Sequence, residues 1–325
     1  MSQQTLSPIA LGHYPTPLHE LPRLARALGG PRLYVKRDDL TGLALGGNKT
    51  RKLGYLLAEA LQQGANTIIT MGAPQSNHAR QTAAAAARCG LRATLVLTQR
   101  APERINGNLL LDDLLGAHIR WAGDRDPLAL LQEVADEERA AGRVPYVIPY
   151  GGSNALGASA YAEALAEMLR QSHEQDLRID HIVFASSSGG TQAGLVAGAR
   201  ALNERAHILG ISVDKPADVL NTLVLDLAQQ TIAHMGLHMP VRPGDVHVND
   251  AYIGQGYGVL GDPEREAIRL AARTEGLLLD PVYTGRAMAG LMDLIRQRAF
   301  GANENVLFWH TGGSPALFAY AEQLR

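Results

Sequence analysis

What most constrains the fold of this chain is an alternation that runs almost from end to end, short apolar stretches of strand length followed by longer segments with helical spacing. Strands are predicted at Leu33–Arg37, Thr67–Thr70, Arg92–Leu97, His118–Trp121, His181–Ala185, Ile208–Val213 and Asn305–Trp309. After the first of them, Leu53, Leu56, Leu57, Ala60 and Leu61 recur at the spacing of one buried helix face. A helix is therefore expected from about Lys49 to Gln63, stopped by Gly64, and later helical segments end at Gly90 and Gly116. Such alternation builds an α/β fold with a largely parallel sheet. At roughly 150 residues per domain, a chain of 325 residues makes about two domains. No fixed-period repeat or low-complexity linker marks a boundary between them.

Composition narrows the class. With 46% hydrophobic and 19% charged residues the chain reads as an ordinary globular protein. Thirty basic against 32 acidic side chains leave a net charge of −2, without the footprint of a nucleic-acid binder. No dense Lys/Arg run suits a membrane surface, and no stretch nears the ~18 consecutive apolar residues of a spanning helix. The first residues, MSQQTLSPIA, lack the basic and apolar regions of a signal peptide, so the cytoplasm is the expected compartment. Cys89, the only cysteine, follows an alanine-rich helical run and is expected to be a buried, inert thiol.

Chemistry gathers at a few loops. In Gly46-Gly47-Asn48-Lys49-Thr50-Arg51-Lys52, two glycines let the backbone turn just before a helix, placing Lys49 in its first turn. The positive helix end and a second cation, Lys52, would favour the neutral, nucleophilic amine; a plain surface lysine in a glycine turn is the alternative. A nucleotide-binding loop does not fit, because the lysine of G-x-x-x-x-G-K-[ST] would fall at Asn48. The run Ser186-Ser187-Ser188-Gly189-Gly190-Thr191 lies between an apolar strand and a helix, the arrangement of a phosphate site, although a serine-rich helix cap reads the same way. It lacks the G-x-G-x-x-G of a dinucleotide site. Gln75-Ser76-Asn77-His78, Gly254-Gln255-Gly256-Tyr257-Gly258 and Asp280-Pro281-Val282-Tyr283-Thr284-Gly285 are weaker signals taken singly, and Ser76 alone reads as a helix cap. His234 and His238 have zinc-helix spacing without the glutamate of H-E-x-x-H, so a solvated pair is expected and no metal. Asp38-Asp39 reads as a turn.

Together, GGNKTRKL (46–53), QSNHARQTAA (75–84), SSGGTQAGL (187–195), GYGV (256–259), LLLDPVYTGRAMAGL (277–291) and HTGGSPALF (310–318) resemble the fold type II pyridoxal 5′-phosphate (PLP) enzymes. The similarity is to the branch of 1-aminocyclopropane-1-carboxylate (ACC) deaminases and D-cysteine desulfhydrases. It implies a two-domain, three-layer parallel-sheet architecture like that of the tryptophan synthase β subunit. Residues 1–49 with 161–325 would form a large PLP-binding domain and residues 50–160 a small one. Lys49 would bind the cofactor as a Schiff base, and Asn77 would meet the ring hydroxyl. Lys52, Ser188, Gly189, Gly190 and Thr191 would hold the phosphate. Ser76, Asn77, His78, Tyr257 and Tyr283 would surround the substrate, a small amino acid, with Ser76, Tyr257 and Tyr283 joining Lys49 in catalysis. A homodimer is expected on the same ground.

Two positions bear on the reaction. ACC deaminases are similar except for a glutamate after the DPVY tyrosine and a leucine before the late Gly-Gly pair, where this chain has Thr284 and Thr311. A hydroxyl only hydrogen-bonds the pyridine nitrogen, making a weaker electron sink than a carboxylate-held, protonated ring. The resemblance therefore implies β-elimination from D-cysteine to pyruvate, sulfide and ammonia. An L-cysteate sulfo-lyase releasing sulfite is the next reading, then ACC deaminase; a non-catalytic PLP-binding protein is the reading from another class.

Overall fold

The computed structural model describes residues 6–325. Residues 1–5, where the expected large domain begins and which open the stretch read as lacking a signal peptide, lie outside the described residues. In chain order the elements are β1 (Leu18–Glu20), α1 (Pro22–Leu28), β2 (Arg32–Arg37), α2 (Lys49–Gln62), β3 (Thr67–Gly72), α3 (Asn77–Arg88), β4 (Arg92–Leu97), α4 (Gly107–Leu114), β5 (His118–Trp121), α5 (Pro127–Ala140) and β6 (Pro145–Val147). They continue with α6 (Ala155–Glu174), β7 (His181–Ser186), α7 (Gly190–Leu202), β8 (His207–Ser212), α8 (Ala217–His234), β9 (His247–Asn249), α9 (Asp262–Glu275), α10 (Thr284–Arg296), β10 (Asn305–His310) and α11 (Ala316–Ala319).

The strands form two sheets, a six-stranded one in the order β1-β2-β10-β7-β8-β9 and a four-stranded one in the order β5-β4-β3-β6. Every neighbouring pair is parallel except β1 with β2 at one edge. A parallel sheet covered on both faces needs apolar residues on both, which is why its strands read as continuous apolar runs. In β10, Leu307 and Trp309 join a core with α6, α7 and α8 on one face. Val306 and Phe308 point the other way, into a core with α1, α9 and α10. The smaller sheet repeats the arrangement. Ile68 and Leu95 pack on α2 and α3, while Ile69 and Val96 pack on α5.

All seven predicted strands are present to within two residues. The additions, β1, β6 and β9, have three residues each, too few for a period to register. Cys89 is half-buried at the end of α3, rather than buried. His234 closes α8 and His238 lies beyond it, both exposed, so their spacing never falls on one helix face. Among the described residues no group of three or more His, Cys, Asp or Glu is placed to hold a metal ion, and no helix is long and apolar enough to cross a membrane.

Asp38 is more than a turn residue. Fully buried, it accepts hydrogen bonds from Arg51 (2.8 Å), the Tyr161 hydroxyl (2.6 Å) and the Trp309 indole (2.9 Å). Arg51 also pairs with Glu167 at 2.9 Å, and Glu167 with Lys36. This buried network ties β2, α2, α6 and β10 together just behind the start of α2.

Candidate active site

The pocket opens between the two sheets, at the carboxyl ends of their strands, where ligands gather in open α/β folds. The N-termini of α2, α3, α7 and α10 all reach its wall, through Lys49, Asn77, Thr191 and Tyr283. Each helix start carries unpaired N–H groups and the positive end of a macrodipole, so the four together favour an anion.

Lys49 is the first residue of α2. Its placement depends on Gly46 (φ 67°), where a Cβ would lie 2.0 Å from the Asp39 carbonyl oxygen. Arg80 of α3 clasps this loop, donating to the carbonyls of Ala44 and, at 3.1 Å, Gly46. The Lys49 amine lies partly open to the pocket and donates to Asn48 Oδ1 at 3.0 Å. Burial lowers its pKa to about 8; Asp280 opposes the shift and the Arg80 guanidinium adds to it. The sequence pointed to Lys52 as the second cation. Across the fold Arg80 supplies that influence on Lys49, and Lys52 is itself driven well below the usual lysine range by burial and by Lys49.

The serine–glycine turn after β7 forms the opposite wall, with Ser186, Ser187, Ser188, Gly189 and Thr191 on its surface. At Gly190 a Cβ would fall 2.5 Å from Ser153 Oγ and 2.7 Å from Lys52 Nζ, so backbone and amine approach closely only because the residue is glycine. Lys52 is fully buried and donates to the Gly151 carbonyl at 3.2 Å. Ser153 Oγ bonds Ser188 Oγ at 2.9 Å, and Asn48 Nδ2 donates to Thr191 Oγ1 at 3.1 Å.

On the third side Ser76 caps α3, accepting from Ala79 N at 3.1 Å, and also lines the pocket, so the capping and site readings both describe it. Asn77 Oδ1 accepts from Asn108 Nδ2 at 2.9 Å, which leaves its amide nitrogen for whatever enters. Thr70 donates its only hydroxyl proton to Ile148 O at 2.9 Å. The 2.9 Å contact with His78 must then be a donation from His78 Nε2, with the Nδ1 lone pair left over. His78 Nδ1 and Ser186 Oγ are both buried without a hydrogen-bond partner. Burial, with Lys49 and Lys52 close by, holds the His78 pKa well below the usual histidine range, so the ring is neutral.

Tyr283 lines the pocket and shares a 2.6 Å hydrogen bond with the hydroxyl of Tyr257, which stands behind it. Burial first, then the neighbouring phenol of Tyr150 for Tyr257 and that of Tyr257 for Tyr283, push both above the usual tyrosine range, so both carry their protons at neutral pH. The two threonines separate. Thr311 lines the pocket. Thr284 is fully buried behind it and gives its hydroxyl proton to Asp280 Oδ1 at 2.8 Å. Of the sequence candidates, Lys52, Gly190, Tyr257 and Thr284 thus stand just behind the wall and the others form it.

Sequence reasoning passed over Tyr150 and Gly151 on the wall, Ser153 and Asn108 beside it, and the two charges facing Lys49, Arg80 and Asp280. The run Tyr150-Gly151-Gly152-Ser153-Asn154, a glycine pair ahead of a helix cap, was a legible signal for the first three. Arg80 and Asp280 acquire their roles only through contacts across the fold.

A family model described as pyridoxal-phosphate dependent enzyme matches residues 9–312. The chain belongs to that family. D-cysteine desulfhydrases of Salmonella typhi and Salmonella newport (strain SL254) are each 46% identical to it over 312 residues, 94% of this chain and 94% of theirs. A crystal structure titled as that of an ACC deaminase homologue superposes with a TM-score of 0.91 at 40% identity, covering 98% of this chain and 96% of that one. The fold is therefore that of the fold type II enzymes, and the cofactor is pyridoxal phosphate. The residues present fit it. A buried amine, a glycine of close approach and serine and threonine hydroxyls suit its phosphate, a depressed lysine suits its aldehyde, and the unpartnered Ser186 Oγ and His78 Nδ1 are polar atoms awaiting a ligand.

Proposed function

We propose that this enzyme converts D-cysteine and water to pyruvate, hydrogen sulfide and ammonia. The observation that carries the reading is Lys49, an amine brought near neutrality inside a pocket ringed by helix N-termini, in a chain nearly half identical to D-cysteine desulfhydrases. When bound, pyridoxal phosphate supplies the electron sink that makes the substrate Cα–H acidic. Lys52 and the 188–191 turn would hold its phosphate, and the Asn77 amide would hold its ring oxygen. The Thr311 hydroxyl, which lines the pocket, would be the one to hydrogen-bond its ring nitrogen, because that of Thr284 is committed to Asp280. The Ser76 hydroxyl proton is free to meet the substrate carboxylate, because Ser76 Oγ only accepts in its cap. Lys49 Nζ takes the Cα proton, and the Tyr283 hydroxyl, backed by Tyr257 and keeping its own proton, hydrogen-bonds the sulfur as it leaves as hydrosulfide; the proton gained by Lys49 balances that charge. Two threonines and no carboxylate at the tuning positions suit a good leaving group such as sulfide.

The division into residues 1–49 with 161–325 and residues 50–160 belongs to the same reading. Sheet membership supports it, with α6 running across the second boundary. A homodimer and a cytoplasmic setting are part of the same reading; light scattering and cell fractionation test them. Purified holoenzyme offered D-cysteine, L-cysteate and ACC in turn, with sulfide, sulfite and α-ketobutyrate followed, decides the activity. Sulfide and pyruvate from D-cysteine are expected; sulfite from L-cysteate alone, or turnover of ACC alone, rejects the proposal.

A further inference from the structure

Tyr257 sits on a segment, residues 251–261, that contains no helix or strand and carries Gly254, Gly256 and Gly258 at φ of 63°, 123° and 75°. Glycine-rich backbone of this kind does not hold its own shape. A cleft of about 440 Å³, lined by Gly254, Gln255, Val259, Glu264 and Ala289, lies beside the segment and leaves it room to shift. Yet the Tyr257 hydroxyl must stay within 2.6 Å of Tyr283.

We infer that Arg286 is the positioning residue of the tyrosine pair. It lies one helical turn after Tyr283 on α10 and is almost wholly buried. Its guanidinium donates to the carbonyls that flank Tyr257, from Nη1 to Gly256 O at 3.0 Å and from Nη2 to Val259 O at 2.8 Å. A second Nη1 bond reaches Val213 O at 2.8 Å, just beyond β8, and Nε bonds Glu264 Oε1 at 2.8 Å. The other oxygen of Glu264 accepts from Gly261 N at 3.0 Å, closing the far end of the segment. Tyr320 adds one clasp from the C-terminal side, its hydroxyl donating to Gly258 O at 2.8 Å. The loop of one tyrosine is thus fastened by the helix that carries the other, and a planar fork reaches two carbonyls three residues apart as a lysine ammonium cannot. An arginine serving stability alone has no reason to divide its bonds on either side of Tyr257.

The inference rests on the D-cysteine reading only for its turnover arm. Three cofactor-loaded variants test it: Tyr320→Phe, Arg286→Lys, and Arg286→Met combined with Glu264→Gln so that no buried carboxylate is left alone. Amide hydrogen exchange should quicken over residues 251–261 and not elsewhere, and the visible band of the bound cofactor should persist. The kcat for D-cysteine should fall in that order of variants, reaching about 100-fold in the last, the scale set by a misplacement near 1 Å. Affinity for D-alanine, which has no β leaving group and is read from its perturbation of the visible band, should weaken in the same order. Exchange that quickens while kcat and D-alanine affinity stay put overturns the inference, as does a loop whose exchange does not change. If the wild type leaves D-cysteine untouched, the functional reading fails and the D-alanine and exchange arms decide this one. If the double variant does not fold, Tyr320→Phe, which loses one part-exposed hydroxyl, decides by the same two criteria.

Discussion

At Lys49 two fixed charges of opposite sign act on one amine. Arg80 holds its pKa down and Asp280 holds it up, around a value near 8 set mainly by burial. Only the neutral amine attacks an aldehyde, so capture of the cofactor by apoenzyme should speed up as pH rises through about 8, followed by the visible band. Arg80→Gln should move that inflection to higher pH and Asp280→Asn to lower pH; matching shifts of one sign would show that burial alone governs the lysine. Lys49→Ala should leave no cofactor fixable by borohydride, as mass spectrometry of the digested chain would reveal. Lys49 itself was legible because the glycines, the lysine and the helix start are adjacent in the chain. Arg80 was not, although it stands inside a quoted motif, because its partners Ala44 and Gly46 lie 36 and 34 residues away.

The elements were read with the accuracy their length permits. Strands such as β3 and β10, apolar on both faces, announce themselves in four to six residues, whereas β1, β6 and β9 exist because a neighbouring strand offers them hydrogen bonds. The helix starts read at Lys49 and near Thr191 follow glycine turns and carry no side-chain cap, whereas the capped starts of α5 at Asp126 and α6 at Asn154 were passed over. Ser76 shows the ambiguity of a cap signal, since capping α3 and facing the pocket are compatible uses of one hydroxyl. Ser76→Ala should therefore cost about 0.5–2 kcal/mol in urea unfolding from the lost cap and also raise the KM for D-cysteine. A KM that does not move would confine Ser76 to its helix.

Across the whole molecule the buried network of Lys36, Asp38, Arg51 and Glu167, with Trp309 bonded to Asp38, joins both ends of the chain to α2 and α6. Burial alone would raise the two carboxyl groups; Arg51, with the hydroxyl of Tyr161, the indole of Trp309 and the ammonium of Lys36 assisting, draws them below the usual range instead. Their stabilisation is thus complete above the unfolded carboxylate pKa of about 4 and is lost as pH falls through the lower folded values. Arg51→Met should cost about 3–5 kcal/mol at neutral pH and flatten the acid limb of stability against pH, measured by urea unfolding. None of this network was visible in the sequence beyond Asp38 in its turn, because its members approach from residues as far apart as 38 and 309. The α/β class needed no such contacts, only the local alternation.

The strand at the centre of the larger sheet, β10, is also the last of the described strands in chain order. Until Asn305–His310 emerges, β2 and β7 have nothing between them, and Thr311, which follows directly, is missing from the pocket. A polypeptide that stops short of these residues has no finished cradle for the cofactor, so loading reports that synthesis has passed Thr311.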